Sequence, residues 1–106
     1  MSVFTITYKG PMTFFLEGEL DIASVPSLQA ALNGSIGAGG PITLDLSRLT
    51  FIDSTGVGAI LKAAKDHLPG GCVVLHGVHD GTQKVIELMG VEKISNIHVL
   101  TCLVAV

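Results

Sequence analysis

Aromatic and charged residues are scarce in this chain of 106 residues. It has no tryptophan, one tyrosine and four phenylalanines, and only 14% of its residues are charged. Because the net charge is −3 and there is a single arginine, Arg48, the sequence offers neither a basic stripe nor an aromatic stacking platform for nucleic acid or anionic lipid. Nearly half of the residues are apolar, and an exterior so poor in charge favours contact with another protein.

Cysteines and long apolar runs are also few. Cys72 and Cys102 do not make a disulfide framework, and residues 1–10 lack the basic leader and apolar core of a signal peptide. The longest apolar run, 99–106, is too short to span a bilayer. We therefore expect a cytoplasmic protein with reduced thiols and no membrane insertion, folded as a single domain over residues 1–106.

Alternating and helical patterns of apolar residues predict the order strand, strand, helix, strand, helix, strand, helix, strand. The predicted strands are 3–8, 12–16, 42–47, 72–75 and 97–100, and the predicted helices are 25–36, 54–68 and 80–89. Helices between strands imply right-handed crossovers, so we expect an α/β fold with a mixed, mostly parallel sheet of about five strands.

Several individual residues have predicted places in this fold. Ser24 and Asp80 are predicted to cap the first and third helices. His67, at the end of the second helix, is predicted either to lie at the surface or to face the helix dipole. Leu68 and Met89 are predicted to face inward from the second and third helices.

The most informative stretch is 44–58, in which a buried strand delivers a short polar loop to the start of a helix. Ser54 is predicted to lie at the positive end of that helix, among amide groups that have no intrahelical partner. Asp53 and Thr55 beside it are typical of a helix cap, but Gly56 and Gly58 each cost roughly 1 kcal/mol inside a helix. A purely structural helix cap and a functional site are therefore equally well supported by these residues.

Three segments in fixed order, Gly18-Glu19-Leu20-Asp21, Leu44-Asp45-Leu46 and 51–56, resemble the STAS domain over nearly the whole chain. More closely, the sequence is similar to the anti-sigma factor antagonists of bacteria. Many members of that family carry a further helix after the last strand, where this chain has the apolar residues 101–106. We expect those residues to form a short final element or a contact surface.

The resemblance implies a partner-switching function. The unphosphorylated antagonist would bind an anti-sigma factor with serine kinase activity and so release a sigma factor. The kinase would then phosphorylate Ser54, and the complex would dissociate. A PPM-type serine phosphatase would remove the phosphate and restore the binding form. Asp21 matches the acidic residue of the neighbouring loop. The implied partner-binding residues are Glu19, Asp21, Asp53, Ser54, Thr55, Gly56, Val57 and Gly58. The resemblance implies no cofactor, and we expect the free protein to be a monomer.

Other functions are less well supported by the residues. The main alternative is a STAS scaffold subunit of a transport or signalling complex, which would bind through a similar helix without phosphate. A hydrolase elbow needs glycine two residues before the serine, where this chain has Ile52. A metal site at Cys72 and His76 is disfavoured because two residues four apart on an extended strand lie about 13 Å from each other.

Overall fold

The computed structural model describes residues 3–101, so Cys102 and the rest of the predicted final element lie outside the described residues. The eight predicted elements are all present. The strands are β1 (Phe4–Gly10), β2 (Thr13–Leu20), β3 (Gly40–Ile52), β4 (Gly71–Val78) and β5 (Ile97–Thr101). The helices are α1 (Val25–Leu32), α2 (Ser54–Asp66) and α3 (Asp80–Leu88), with a short 3₁₀ turn at Val91–Lys93.

The five strands form one sheet in the order β1-β2-β3-β4-β5. The β1–β2 pair is antiparallel, whereas β2–β3, β3–β4 and β4–β5 are parallel. The predicted α/β fold with a mixed, mostly parallel sheet is therefore confirmed. The three helices form one layer, because α2 contacts both α1 and α3.

The core lies between this helix layer and one face of the sheet. Along β3, Ile42, Leu44 and Leu46 are fully buried, while Thr43 and Asp45 point to the other face and are only half-buried. The same alternation runs through the neighbouring strands. Within the described part of the chain, the sheet therefore has one face packed against helices and one face without them.

Strands β2 and β3 are longer than the sequence predicts because irregular pairing interrupts their alternation. The register between them shifts after Phe15 and again after Gly18. Gly18 has a φ of +95°, and a side chain there would collide with the backbone carbonyl of Val3. The strand therefore passes through Gly18 only because that residue has no side chain, and it continues to Leu20.

The third helix is capped by His79 and not, as predicted, by Asp80. The Nδ1 atom of His79 accepts a hydrogen bond from the Gly81 amide at 3.1 Å, which leaves Nε2–H to donate to the carbonyl oxygen of Leu49 at 2.9 Å. Asp80 is the first residue of the helix, where the helix dipole stabilises its carboxylate. The imidazole thus caps α3 and ties it to β3.

The predictions for the ends of α2 and α3 are wrong at three residues. The second helix ends at Asp66, so Leu68 lies beyond it and is 51% exposed. Met89 follows the last turn of α3 and is exposed as well. For His67 the surface alternative is wrong: the residue stands at the C-cap of α2 and is fully buried, with hydrogen bonds to Gly37 and to Gly40 at the start of β3.

Candidate functional site

The loops that carry Asp21 and Asp53 meet at one edge of the sheet. Leu20, the last residue of β2, lies opposite Ile52, the last residue of β3. The Asp53 amide also donates a hydrogen bond to the Leu20 carbonyl oxygen at 3.3 Å. Because β2 and β3 are parallel neighbours, both acidic residues follow the carboxyl ends of their strands, which is where ligands and partners meet open α/β sheets.

Asp53 caps helix α2. Its backbone is extended, and its Oδ1 atom accepts a hydrogen bond from the Gly56 amide at 3.0 Å. The same oxygen accepts a hydrogen bond from the Thr55 hydroxyl. The Asp53 carboxylate therefore fixes the first turn of the helix. It also accepts the hydrogen bond of the Thr55 hydroxyl, which is the only hydroxyl adjacent to Ser54 in the sequence.

Ser54 is the first residue of α2, and its side chain is exposed. Within residues 3–101 its hydroxyl has no hydrogen-bond partner, whereas the Thr55 hydroxyl is engaged by Asp53. The amide groups of the first helical turn and the helix dipole favour negative charge at this position. Ser54 therefore presents a free hydroxyl where an added anion would be stabilised.

Gly56 and Val57 lie beneath the surface that carries Ser54. A Cβ atom on Gly56 would lie 2.9 Å from the Leu20 side chain and 3.1 Å from that of Ile52. Val57 is 1% exposed. Both residues pack inside their own domain, and their contact with a partner stays a prediction.

Gly58 differs from Gly56 because a Cβ atom there would meet nothing within 4 Å. It is only half-buried, one turn along the helix from Ser54. A glycine with open space around it is not required by packing, and it leaves the helix backbone accessible. Of the two glycines in α2, Gly58 is therefore the more accessible to a partner.

Asp21 organises the loop between β2 and α1. One of its carboxylate oxygens accepts hydrogen bonds from the amides of Ala23 and Ser24, at 3.1 and 3.2 Å. Ser24 stands at the N-cap position, as predicted, but its side chain makes no capping bond. Its hydroxyl lies 2.7 Å from the Glu19 carbonyl oxygen and 3.0 Å from Asp21 instead. These bonds fix the conformation of the Asp21 loop, and the Asp53–Leu20 hydrogen bond joins its base to the Ser54 loop.

The structure adds two apolar side chains that the sequence did not single out. Ile22, directly after Asp21, is 72% exposed, and Phe51, two residues before Asp53, is 44% exposed. Large apolar side chains exposed beside polar loops are typical of protein-binding surfaces. The available signal was the position of Ile22, a large apolar residue in the loop between Asp21 and Ser24 that belongs to no strand or helix pattern.

Metal chemistry and membrane insertion find no support among the described residues. Within residues 3–101, no three or more histidine, cysteine, aspartate or glutamate side chains are grouped so that they could hold a metal ion. None of the helices in that range is both long enough and apolar enough to cross a membrane.

Comparison with known proteins places this arrangement in a family. An anti-sigma factor antagonist from Mycobacterium paratuberculosis has a similar structure, with 21% identity and a TM-score of 0.68 over 92% of this chain and 86% of that chain. The anti-sigma factor antagonist SpoIIAA in its unphosphorylated form is 24% identical, with a TM-score of 0.66 over 95% of this chain and 90% of its own. The Bacillus cell fate determinant SpoIIAA in its phosphorylated form is 26% identical, with a TM-score of 0.62 over 93% and 92%. The family model of the STAS domain matches residues 4–99, and the chain therefore belongs to the STAS domain family.

Proposed function

We propose that this STAS domain is an anti-sigma factor antagonist whose binding is switched by phosphorylation of Ser54. In its unphosphorylated form it binds an anti-sigma factor that is also a serine kinase, and a sigma factor is released. The observation that carries the proposal is the exposed Ser54 hydroxyl, which has no partner within residues 3–101 and lies at the start of a helix. Structures of the relative SpoIIAA in unphosphorylated and phosphorylated forms support it.

A phosphate on Ser54 would change the charge of this edge without unfolding it. It adds about −1.5 to −2 charges directly beside the Asp53 carboxylate and at the same edge as Asp21. The helix N-terminus stabilises the phosphate, so the fold of the domain is preserved. A partner fitted to a neutral hydroxyl would instead meet a hydrated dianion.

The size of this effect is sufficient for a switch. Like charges brought together at an interface cost several kcal/mol, and about 4 kcal/mol weakens binding roughly a thousandfold. Removal of the phosphate by a PPM-type serine phosphatase restores the binding form. This cycle of kinase and phosphatase belongs to the cytoplasm, where we place the protein.

The docking surface that we propose is centred on the two loops. Its exposed and half-buried members are Glu19, Asp21, Ile22, Phe51, Asp53, Ser54, Thr55 and Gly58. Gly56 and Val57 support it from below. The exposed apolar side chains supply the buried centre of such an interface, and the acidic loops supply its polar rim.

The first test is the mass of the intact protein purified from its own cells, measured with and without phosphatase treatment. Fragmentation across the Ser54 peptide then locates any modification. We expect a shift of one phosphate that maps to Ser54 and disappears with phosphatase. Absence of the shift under every growth and stress condition would contradict the proposal and favour the scaffold subunit.

The second test compares variants in binding to the anti-sigma factor kinase. Ser54→Ala should bind as the unmodified protein does, and Ser54→Asp should bind at least a hundredfold more weakly. Ser95→Asp is the matched control, because it introduces the same charge at an exposed serine outside the proposed docking surface and should leave binding unchanged. A scaffold would bind equally well with alanine or aspartate at position 54.

A further inference from the structure

A second surface lies at the opposite end of α2 from Ser54. There the last turns of the helix and the segment before β5 enclose a groove of about 490 Å³. Its apolar lining comes from Leu61, Leu68 and Ile94, and two cations, Lys65 and Lys93, stand beside it. Leu61 and Lys65 follow Ser54 by seven and eleven residues in α2, so this part of the groove lies about 10–17 Å from Ser54 along the helix.

The groove is held in shape by Asn96. The side-chain amide of this residue donates hydrogen bonds to the carbonyl oxygens of Ala64, at 2.7 Å, and Gly71, at 3.3 Å. These bonds tie the segment before β5 to helix α2 and to the start of β4. The groove therefore needs no rearrangement before a ligand enters, which lowers the entropic cost of binding.

Among the described residues, the two lysines beside the groove have no ion-pair partner. Within residues 3–101 the ion pairs are Lys62–Asp66, at 2.7 Å, and His76–Asp45, at 3.6 Å. Lys65 and Lys93 take part in neither. Lys65 is the basic residue in the last turn of α2, where it complements the helix dipole, and Lys93 has the same place in the short 3₁₀ turn. On a chain of net charge −3, two unpaired lysines at one apolar groove are complementary to an acidic ligand.

The exposure of the lining favours a peptide over a small amphiphile. Leu68 is 51% exposed and Ile94 is 39% exposed, so the groove is shallow. A small-molecule site typically buries 70–90% of its ligand, whereas a peptide needs pockets for only one or two anchoring side chains.

We propose that this groove binds an acidic segment of a protein partner. One apolar side chain of the segment packs between Leu68 and Ile94, and carboxylates beside it pair with Lys65 and Lys93. Because the groove lies far from Ser54, binding there does not depend on the state of that hydroxyl. The domain would thus keep one partner bound at the groove, whereas phosphorylation of Ser54 controls binding of the other partner at the opposite end of α2.

The test is a selection from a random peptide library displayed on phage, with the full chain as target. A variant that carries Lys65→Glu and Lys93→Glu serves for counter-selection. We expect the selected peptides to share a leucine, isoleucine, phenylalanine or methionine flanked by aspartate or glutamate. Their affinity should fall at least tenfold in the double variant. Lys84→Glu, an exposed lysine on α3, is the matched control and should leave binding unchanged.

Two further measurements make the outcome decisive. Amide chemical shifts of the ¹⁵N-labelled protein should change at Leu61 and Ile94 on addition of a selected peptide. Ser54→Asp should bind the same peptide with unchanged affinity, so this proposal can fail or succeed separately from the phosphorylation switch. The ¹⁵N spectrum of the double variant serves to check that it is folded.

Other results would overturn the proposal. These are a selection that yields no peptides, peptides without acidic residues, or peptides that bind the double variant equally well. Shifts at Leu61 and Ile94 with dodecanoate but not with peptide would assign the groove to an amphiphile. Concentration-dependent self-association that the double variant abolishes would assign it to a second copy of this chain.

Discussion

A Cβ atom at position 56 would lie only 2.7 Å from the carbonyl oxygen of Leu20, so Gly56 sits directly against the backbone of the neighbouring strand. This contact sets how closely the first turn of α2 approaches the sheet. Since Ser54 belongs to that same turn, the position of its hydroxyl depends on the absence of a side chain two residues later.

The two glycines of α2 should respond in opposite ways to replacement by alanine. Gly56→Ala should destabilise the domain by about 1–3 kcal/mol, because the added methyl overpacks a closed site. Gly58→Ala should stabilise it by about 1 kcal/mol, because alanine favours the helix and the space is open. Urea unfolding measures both. Equal effects at the two positions would show that helix propensity alone, and not the Leu20 contact, decides the outcome.

Ser54→Asp should not destabilise the domain. The first turn of α2 contains no acidic residue, and a carboxylate there gains about 0.3–1 kcal/mol from the helix dipole. The melting temperature should therefore stay the same or rise slightly, and it should fall in Ser54→Lys. A clear loss of stability in Ser54→Asp would mean that weaker partner binding by this variant reflects unfolding and not charge.

His67→Ala should be strongly destabilising. The imidazole is fully buried, its Nδ1 accepts from the Gly37 amide at 2.9 Å, and its Nε2 donates to the Gly40 carbonyl oxygen at 2.7 Å. Removal of the ring leaves both backbone groups without a partner, at a cost of about 1–3 kcal/mol each. Chemical denaturation should show this loss, with the exposed His98→Ala as control. A loss no larger than that of the control would contradict the structural role.

Asp45 should contribute to stability in a pH-dependent way. Partial burial raises the pKa of its carboxyl group, but hydrogen bonds from the Ser47 hydroxyl and amide, at 2.6 and 2.9 Å, together with His76, hold the pKa below the ordinary 3.8. The folded state therefore favours the carboxylate. Its contribution is fully present above pH 3.8 and is lost as the pH falls through the lower folded pKa.

Ser47→Ala tests this account, because it removes the hydroxyl and keeps the amide. The pKa of Asp45, followed by NMR titration of its side-chain carbon, should rise in the variant. In a parallel measurement, the stability difference between the wild type and Asp45→Asn should shrink as the pH is lowered past 3.8. An unchanged titration curve in Ser47→Ala would contradict the assigned cause.

The regular part of the fold could be predicted from sequence periodicity, and the irregular part could not. Alternation along β3 and helical spacing along α2 identified both elements and their buried faces. The continuation of β2 to Leu20 was missed, because the register shifts near Gly18 break the alternation. The burial of His67 was missed because its partners, Gly37 and Gly40, are distant in sequence and lie in a glycine-rich stretch without a pattern.

The location of the candidate site could be predicted from the sequence, but the burial of its individual residues could not. Parallel strands bring the Asp21 and Asp53 loops to one edge, and the structure confirms that they meet there. The sequence did not reveal that Gly56 is enclosed while Gly58 is open, because that difference depends on Leu20, from another strand. The role of Ser54 as a phosphorylation site stays a prediction.

The consecutive strand order affects how this sequence can vary. Each strand from β2 to β5 lies beside the strand that precedes it in the chain, so the three helices described between residues 3 and 101 cover the same side of the sheet. Half-buried Phe15, Thr43 and Val74 occupy the other side, away from the core and from α2. Substitutions there leave helix packing and the Ser54 loop undisturbed. Related domains can therefore diversify one side of the sheet while the other side keeps its fold and its partner-binding edge.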